Sequence, residues 1–229
     1  MKISYDLHVH SCLSPCGNED MTPNNIVNMA CLLGLDAIAV SDHNSCKNLP
    51  AVCSLAAKRG LLVVPAMEAC TAEEVHMLCL FETLSSAAAF GDRIYESLPD
   101  IMNQPEIYGE QLILDEKDEI VGTEPKLLIN ALGIGIEKLL SLVQEYEGIA
   151  VPAHVNKPAN SIIANLGIIP PEYGFSCIEV NPPDPSVSFA GRRITNSDAH
   201  YLEQINDPVN YLEAADKSAA GVLRYLRGG

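Results

Sequence analysis

Tryptophan is absent from this 229-residue chain, and aromatic side chains are few, with 8 tyrosines and 4 phenylalanines. No platform for stacking nucleobases is advertised. Cations are also scarce: 14 lysines and arginines face 30 acidic residues, giving a formal net charge of −16. Such a surface repels a phosphate backbone, which predicts no stable binding of a nucleic-acid duplex. It leaves room for a small phosphorylated substrate, because bound metal ions reverse the sign locally. No apolar run is long enough to span a bilayer, so no membrane partner is expected. No basic segment precedes an apolar one at the N-terminus, so no secretory leader is expected. None of the 8 cysteines forms a Cys-x-x-Cys pair. Without a leader they read as free thiols of a cytoplasmic protein. Internal repeats are lacking, and nothing signals an oligomeric state.

What is present is a strand–helix rhythm. Lys2 to His10 reads as a strand. Thr22-Pro23 opens a helix that Gly34 closes. Ala37–Val40 and Leu61–Val64 read as short buried strands around a second helix, and Val75–Phe81 as a fourth strand. After an interruption the rhythm resumes in Gly148–His154, Cys177–Asn181 and Arg193–His200, with a C-terminal helix over Lys217–Arg227. This alternation predicts an α/β fold with parallel strands. The interruption, about residues 84–135, reads as an insertion in a single domain spanning 1–229. It comprises a helix over Ser85–Leu98, a hairpin around the acidic turn Asp115–Asp118, and a helix over Lys126–Leu132. Its expected place is over the strand ends, as a lid or a decoration.

Histidine placement carries the chemistry. His8 and His10 stand two apart on one strand and point the same way. His43, His154 and His200 follow the ends of predicted strands, and His76 lies near the start of one. Glu68 and Asp198 complete a set of 6 imidazoles and 2 carboxylates. That is more than one ion can take. It predicts two or three divalent ions, zinc, iron or manganese, bridged by a carboxylate.

The motifs Asp6-Leu-His-Val-His-Ser11, Ser41-Asp-His43, Met67-Glu68, Val75-His76, Pro152-Ala-His154 and Ser197-Asp-Ala-His200 resemble, in order, those of the PHP (polymerase and histidinol phosphatase) family. The likeness is strongest to its stand-alone phosphoesterases. It implies a distorted (β/α)7 barrel with a trinuclear site. Carried over by position, His8, His10, Glu68 and Asp198 hold a first ion. Glu68, His76 and His154 hold a second, and His43 and His200 a third. The loop after the first strand normally adds an aspartate or histidine to that third ion. Here Cys16 falls near its place. Asp6 and Asp42 abut ligand histidines and are candidates for fixing an imidazole tautomer. Lys157 is a candidate phosphate clamp, with Arg192 and Arg193 behind it.

The resemblance implies hydrolysis of a small, nucleotide-like phosphomonoester by a metal-bridging hydroxide, with Asp42 or His200 among the groups available to protonate the leaving oxygen. Two alternatives are an amidohydrolase, whose barrels also begin with His-x-His, and a catalytically silent metal-binding or regulatory module.

Overall fold

The structure is a computed structural model describing residues 1–229. In chain order its elements are β1 (Lys2–Val9), α1 (Pro23–Leu33), β2 (Ala37–Val40), α2 (Leu49–Ala57), β3 (Leu62–Val63), β4 (Ala66–Cys70), β5 (His76–Leu80), α3 (Leu84–Tyr95), α4 (Pro105–Tyr108), β6 (Leu112–Leu114), β7 (Ile120–Thr123), α5 (Ile136–Glu145), β8 (Ile149–Pro152), α6 (Ile162–Leu166), β9 (Cys177–Glu179), β10 (Arg192–Ile194), β11 (Tyr211–Glu213) and α7 (Ala219–Leu226). Local chemistry accounts for the helix ends. Thr22 Oγ1 accepts from the Asn25 amide, Pro23 fills the first turn of α1, and Gly34 closes it at φ 82°.

The mixed α/β architecture is built from four ladders: β11-β1-β2-β3, β4-β5-β8, β9-β10 and the hairpin β6-β7. β1, β2 and β3 run parallel, as do β9 and β10. An all-parallel arrangement does not hold. β5 runs antiparallel to both β4 and β8, and β11 antiparallel to β1. The reason lies in the link from β4 to β5. The tight turn over Thr71–Val75, with Glu74 at φ 57°, is far too short for a crossover, so the chain must fold back as a hairpin. Glu68 therefore sits in the middle of β4 and not at a strand end.

Apolar side chains cover the strands on both faces. Ile3, Leu7, Ala39, Leu78 and Val151 pack with Val222 and Leu226 of α7. Val9, Ile38, Met67, Met77 and Ile178 pack with side chains of α1, α2, α3 and α5. Charged and imidazole groups that break this pattern are thus buried by strands that have no solvent face.

Residues 126–132, expected to be helical, are not. Gln111 replaces the helical bonds: its Nε2 donates to the carbonyls of Glu124 and Lys126, and its Oε1 accepts from the Leu128 amide. Pro125 in front and Gly133 behind leave little length for a helix. The hairpin is pinned to the body at both ends. Asp118 in its turn accepts from Thr22 Oγ1 and the Asn24 amide at the start of α1. At its base, buried Asn48 bonds the backbone of Leu112 and Leu114.

Candidate metal centre

The alternation along β1 sends Asp6, His8 and His10 to one side. All three are fully buried. Segment 196–200 is laced onto β1 without a regular ladder. The Leu7 amide donates to Asn196 Oδ1 at 2.8 Å, and the His10 amide to the Ala199 carbonyl at 2.9 Å. The Ser197 and Asn206 amides donate to Asp6. Asp6 therefore orders the backbone that carries Asp198 and His200. No imidazole nitrogen is among its hydrogen-bond partners.

Glu68 is the hub. Its Oε1 lies 3.2 Å from His8 Nε2, 3.1 Å from His76 Nδ1 and 3.2 Å from His154 Nε2. Its Oε2 lies 3.0 Å from His43 Nδ1 and 3.4 Å from His10 Nε2. Asp198 Oδ1 stands 3.3 Å from His8 Nε2 and 3.2 Å from His10 Nε2. Three groups have ligand atoms close enough to share an ion: His8 with His10 and Asp198; His43 with Glu68 and His76; His10 with His43 and His200. His154, just past β8, and Asp198 adopt φ values of 29° and 56°. Backbone strain of that kind is tolerated where surrounding contacts over-determine it.

The donor set fits divalent cations. His8 Nδ1 faces both oxygens of Glu179, so it carries the proton and Nε2 carries the lone pair. The Nε2 atoms of His8 and His10 are 3.2 Å apart, and both face carboxylate oxygens. His43 Nδ1 and Glu68 Oε2 approach to 3.0 Å, yet both are buried and neither forms a hydrogen bond. Buried nitrogen and oxygen atoms this close are satisfied by positive charge between them, a proton or a bound metal ion.

Electrostatics divide the imidazoles: against burial, the neighbouring carboxylates raise His8, His10 and His76, while burial lowers His43 and His200. Burial would raise the Glu68 carboxyl, but His76, His8 and His43 hold it well below the usual range. Burial pushes His43 down to about 3, against Glu68, and His200 down to about 4, with His10 adding to the effect. Both are then neutral, the ligating form. Burial would lower His76, but Glu68 carries it up to about 10.

Of the remaining expected residues, Lys157 pairs with Asp198 and lines a cleft of about 360 Å³ with His43, Glu68, His76, His154 and His200. Arg192 and Arg193 do not reach it. They enter at the start of β10, where Arg192 lies 3.9 Å from the Tyr225 ring centroid and Arg193 donates to the Val187 carbonyl. Cys16 is exposed at the rim, beside Lys157, Asp198 and His200, and joins none of the three ligand groups. Asp42 touches no imidazole. Its oxygens accept from the Ser11 amide and from the hydroxyls of Ser11 and Ser14.

Glu179 was not singled out in the sequence. Besides His8, it accepts from the His154 amide at 2.7 Å and from Asn196 Nδ2 at 2.7 Å. The available signal was a carboxylate inside the apolar run Cys177-Ile-Glu-Val180. Gly17 holds the loop beneath the centre, where a Cβ would meet the Ser11 carbonyl oxygen at 2.3 Å. Gly17→Ala is expected to cost about 1–3 kcal/mol through backbone displacement. A melting temperature lower by several degrees would register it, and an unchanged one would contradict the close approach.

A sequence profile of the PHP domain matches residues 6–150. No curated protein sequence matches. Among solved structures, the endonuclease Q of Pyrococcus furiosus, a lesion-specific enzyme, superposes with a TM-score of 0.70 at 19% identity. That alignment covers 100% of this chain and 56% of the endonuclease, so the chain spans little more than half of it. An endonuclease Q complex with a 27-mer duplex, an abasic lesion at its active site, gives the same TM-score and identity over 100% of this chain and 57% of that one. A Bifidobacterium adolescentis protein assigned as a metal-dependent phosphoesterase gives a TM-score of 0.61 at 18% identity, with 96% of each chain covered. At such identities the likeness shows the fold. It also corrects the expectation that duplex nucleic acid is excluded, since endonuclease Q holds a duplex on this architecture. Net charge is a sum over the whole surface, whereas a phosphate meets the local field of the site.

Proposed function

The chain belongs to the PHP domain family, and from that premise we propose that it is a metal-dependent phosphoesterase whose centre is organised on Glu68. The observation that carries this reading is the ring of five imidazoles around one buried carboxylate, with lone pairs facing one another. The ligands we assign are His8, His10, Glu68 and Asp198; His76 and His154 with Glu68; and His43 with His200. Divalent ions held there supply Lewis acidity to the phosphoryl oxygens and ease ionisation of the attacking water. The chain itself binds and orients. Lys157 Nζ, at the edge of the cleft, offers positive charge to the equatorial oxygens. A polar recess of about 700 Å³ shares Lys157, Asp198 and His200 with the cleft and gives the leaving group room. Asp42, with both oxygens already accepting hydrogen bonds, is poorly placed to donate a proton there.

We also read β1, β2, β4, β5, β8, β9 and β10 as a distorted seven-stranded barrel. Supporting this, the His43–Glu68 bridge links the end of β2 to β4, Val155 bonds to Glu179 between β8 and β9, and the Val9–Ala199 bridge returns the segment after β10 to β1. Residues of about 84–135 are then an insertion at the mouth of one domain.

The substrate class is a phosphate ester of a nucleotide unit, free or within a strand. The likeness to endonuclease Q favours giving the strand equal trial. The test is to strip the protein with a chelator and reload it with zinc, iron or manganese. Phosphate release from nucleoside monophosphates and cleavage of a lesion-bearing duplex are then measured. Activity on at least one ester is expected to vanish on stripping and return on reloading. Hydrolysis indifferent to chelation, or hydrolysis of amides alone, would defeat the proposal.

A further inference from the structure

A continuous buried hydrogen-bond chain runs from the inserted hairpin to the metal centre. Asn48 Oδ1 accepts from the Leu114 amide at 2.9 Å, and its Nδ2 donates to the Leu112 carbonyl at 3.1 Å and to Ser11 Oγ at 3.0 Å. Ser11 Oγ donates to Asp42 Oδ2 at 2.6 Å. Asp42 Oδ1 accepts from Ser14 Oγ at 2.7 Å. Ser14 Oγ lies 3.0 Å from His10 Nδ1 and accepts from the His43 amide at 3.2 Å. Each of these side chains is buried, with Asp42 the most accessible at 3%.

With His10 neutral, as a metal ligand must be, only one proton arrangement satisfies this chain. A carboxylate accepts and cannot donate, so both serine protons must point at Asp42. With its proton committed, Ser14 can only accept from His10. The imidazole must then carry its proton on Nδ1 and present the Nε2 lone pair to Asp198 and Glu68. We propose that Asp42 is a positioning residue that fixes the ligating tautomer of His10 through Ser14, and that the hairpin, by way of Asn48 and Ser11, holds this relay in place. The inference rests on the metal reading of the site. It gives Asp42 a task other than proton delivery and gives the insertion a role in a centre it does not touch.

A neutral amide reverses the logic. In Asp42→Asn, a side-chain NH₂ in the place of Oδ1 loses the bond from the Ser11 amide and donates to Ser14 Oγ, which frees the serine proton for His10 Nδ1 and moves the imidazole proton to Nε2. Shape is kept while the ligating atom is blocked, much as an aspartate-to-asparagine change strands the triad histidine of serine proteases in the wrong tautomer. In Ser14→Ala the relay is cut, but His10 keeps a free choice of tautomer.

Zinc affinity of the full chain, measured by competition with a chromophoric chelator, is expected to fall ~10–100-fold in Asp42→Asn. A smaller loss is expected in Ser14→Ala. The double variant should resemble Ser14→Ala rather than the sum of the two. ¹⁵N spectra of the zinc-loaded wild-type protein should show His10 bound through Nε2 with a proton on Nδ1, a readout that stands even if a variant folds poorly. Coordination through Nδ1, equal zinc affinity in Asp42→Asn, or additive losses in the double variant would each overturn the relay. Failure of the wild-type protein to bind zinc, iron or manganese would instead overturn the metal reading beneath it.

Discussion

Glu68→Gln is expected to abolish turnover, by ~10³-fold or more, and to strip the centre of most of its metal. The substitution keeps volume and removes only charge. In the native arrangement one carboxylate balances five imidazoles, with contacts of 3.0–3.4 Å on its two oxygens. A glutamine offers one oxygen and a donor NH₂, so at least one former acceptor contact becomes a donor aimed at an imidazole lone pair. Ions held there would supply several kcal/mol of charge stabilisation and would lose Glu68 as a ligand, and each 1.36 kcal/mol is tenfold in rate. Metal counted by mass spectrometry should fall with activity, while far-UV dichroism stays close to that of the parent. β4 is enclosed by β5 and apolar neighbours and does not depend on the charge for its pairing. A variant that keeps its metal and turnover would show that Glu68 is a bystander.

The second large effect belongs to Glu179→Ala. This carboxylate is completely buried and takes hydrogen bonds from three elements: His8 on β1, the His154 amide after β8, and Asn196 after β10. Removing it leaves three buried donors unsatisfied, each worth about 1–3 kcal/mol. The expected loss is ~3 kcal/mol or more, a melting point lower by ~10 °C for a domain of this size. The centre suffers separately. Without its acceptor, His8 loses the partner that keeps the proton on Nδ1, which predicts ~10–100-fold weaker metal binding. Calorimetry and metal titration read the two losses independently. Glu179→Gln should recover part of the stability but not the affinity, because its single oxygen accepts from only one of the Asn196 and His154 donors, its NH₂ faces the other, and His8 loses its anionic partner.

The two effects differ in how far the sequence announced them. Glu68 and the six histidines were legible because strand periodicity and motif spacing flag them one residue at a time, and the structure gathers all of them with Asp198 into one cluster, with His8 and His10 buried and the others lining a cleft. The α/β class was legible from the alternation of short apolar runs with capped helices. Glu179, Ser14 and Asn48 were not. Their roles depend on which loops meet, and a serine in a turn looks the same whether or not it faces an imidazole. The antiparallel course of β5 was hidden for a similar reason, since an apolar run does not state its direction and only the brevity of the turn before it does. Arg192 and Arg193 looked close to Asp198 in sequence. A strand covers about 3.3 Å per residue, and five or six residues carry the chain from one end of the molecule toward the other. Residues 126–132 had helical composition, but Gln111, a single distant side chain, claimed the bonds a helix would have used.

The lacing of segment 196–200 onto β1 also fixes an order of events during synthesis. The Leu7 amide waits for Asn196, 189 residues further on. At 5–20 residues per second that interval is ~10–40 s on the ribosome. Throughout it, one edge of β1 has neither β11 nor the Asn196–Ala199 backbone beside it, and His8 and His10 lack Asp198. β1, made 189 residues earlier, is thus among the last strands of this fold to be completed. A growing chain carries an open sheet edge and an unfinished pair of imidazoles until residues 196–213 emerge, and a chain stopped short of Asn196 would keep both.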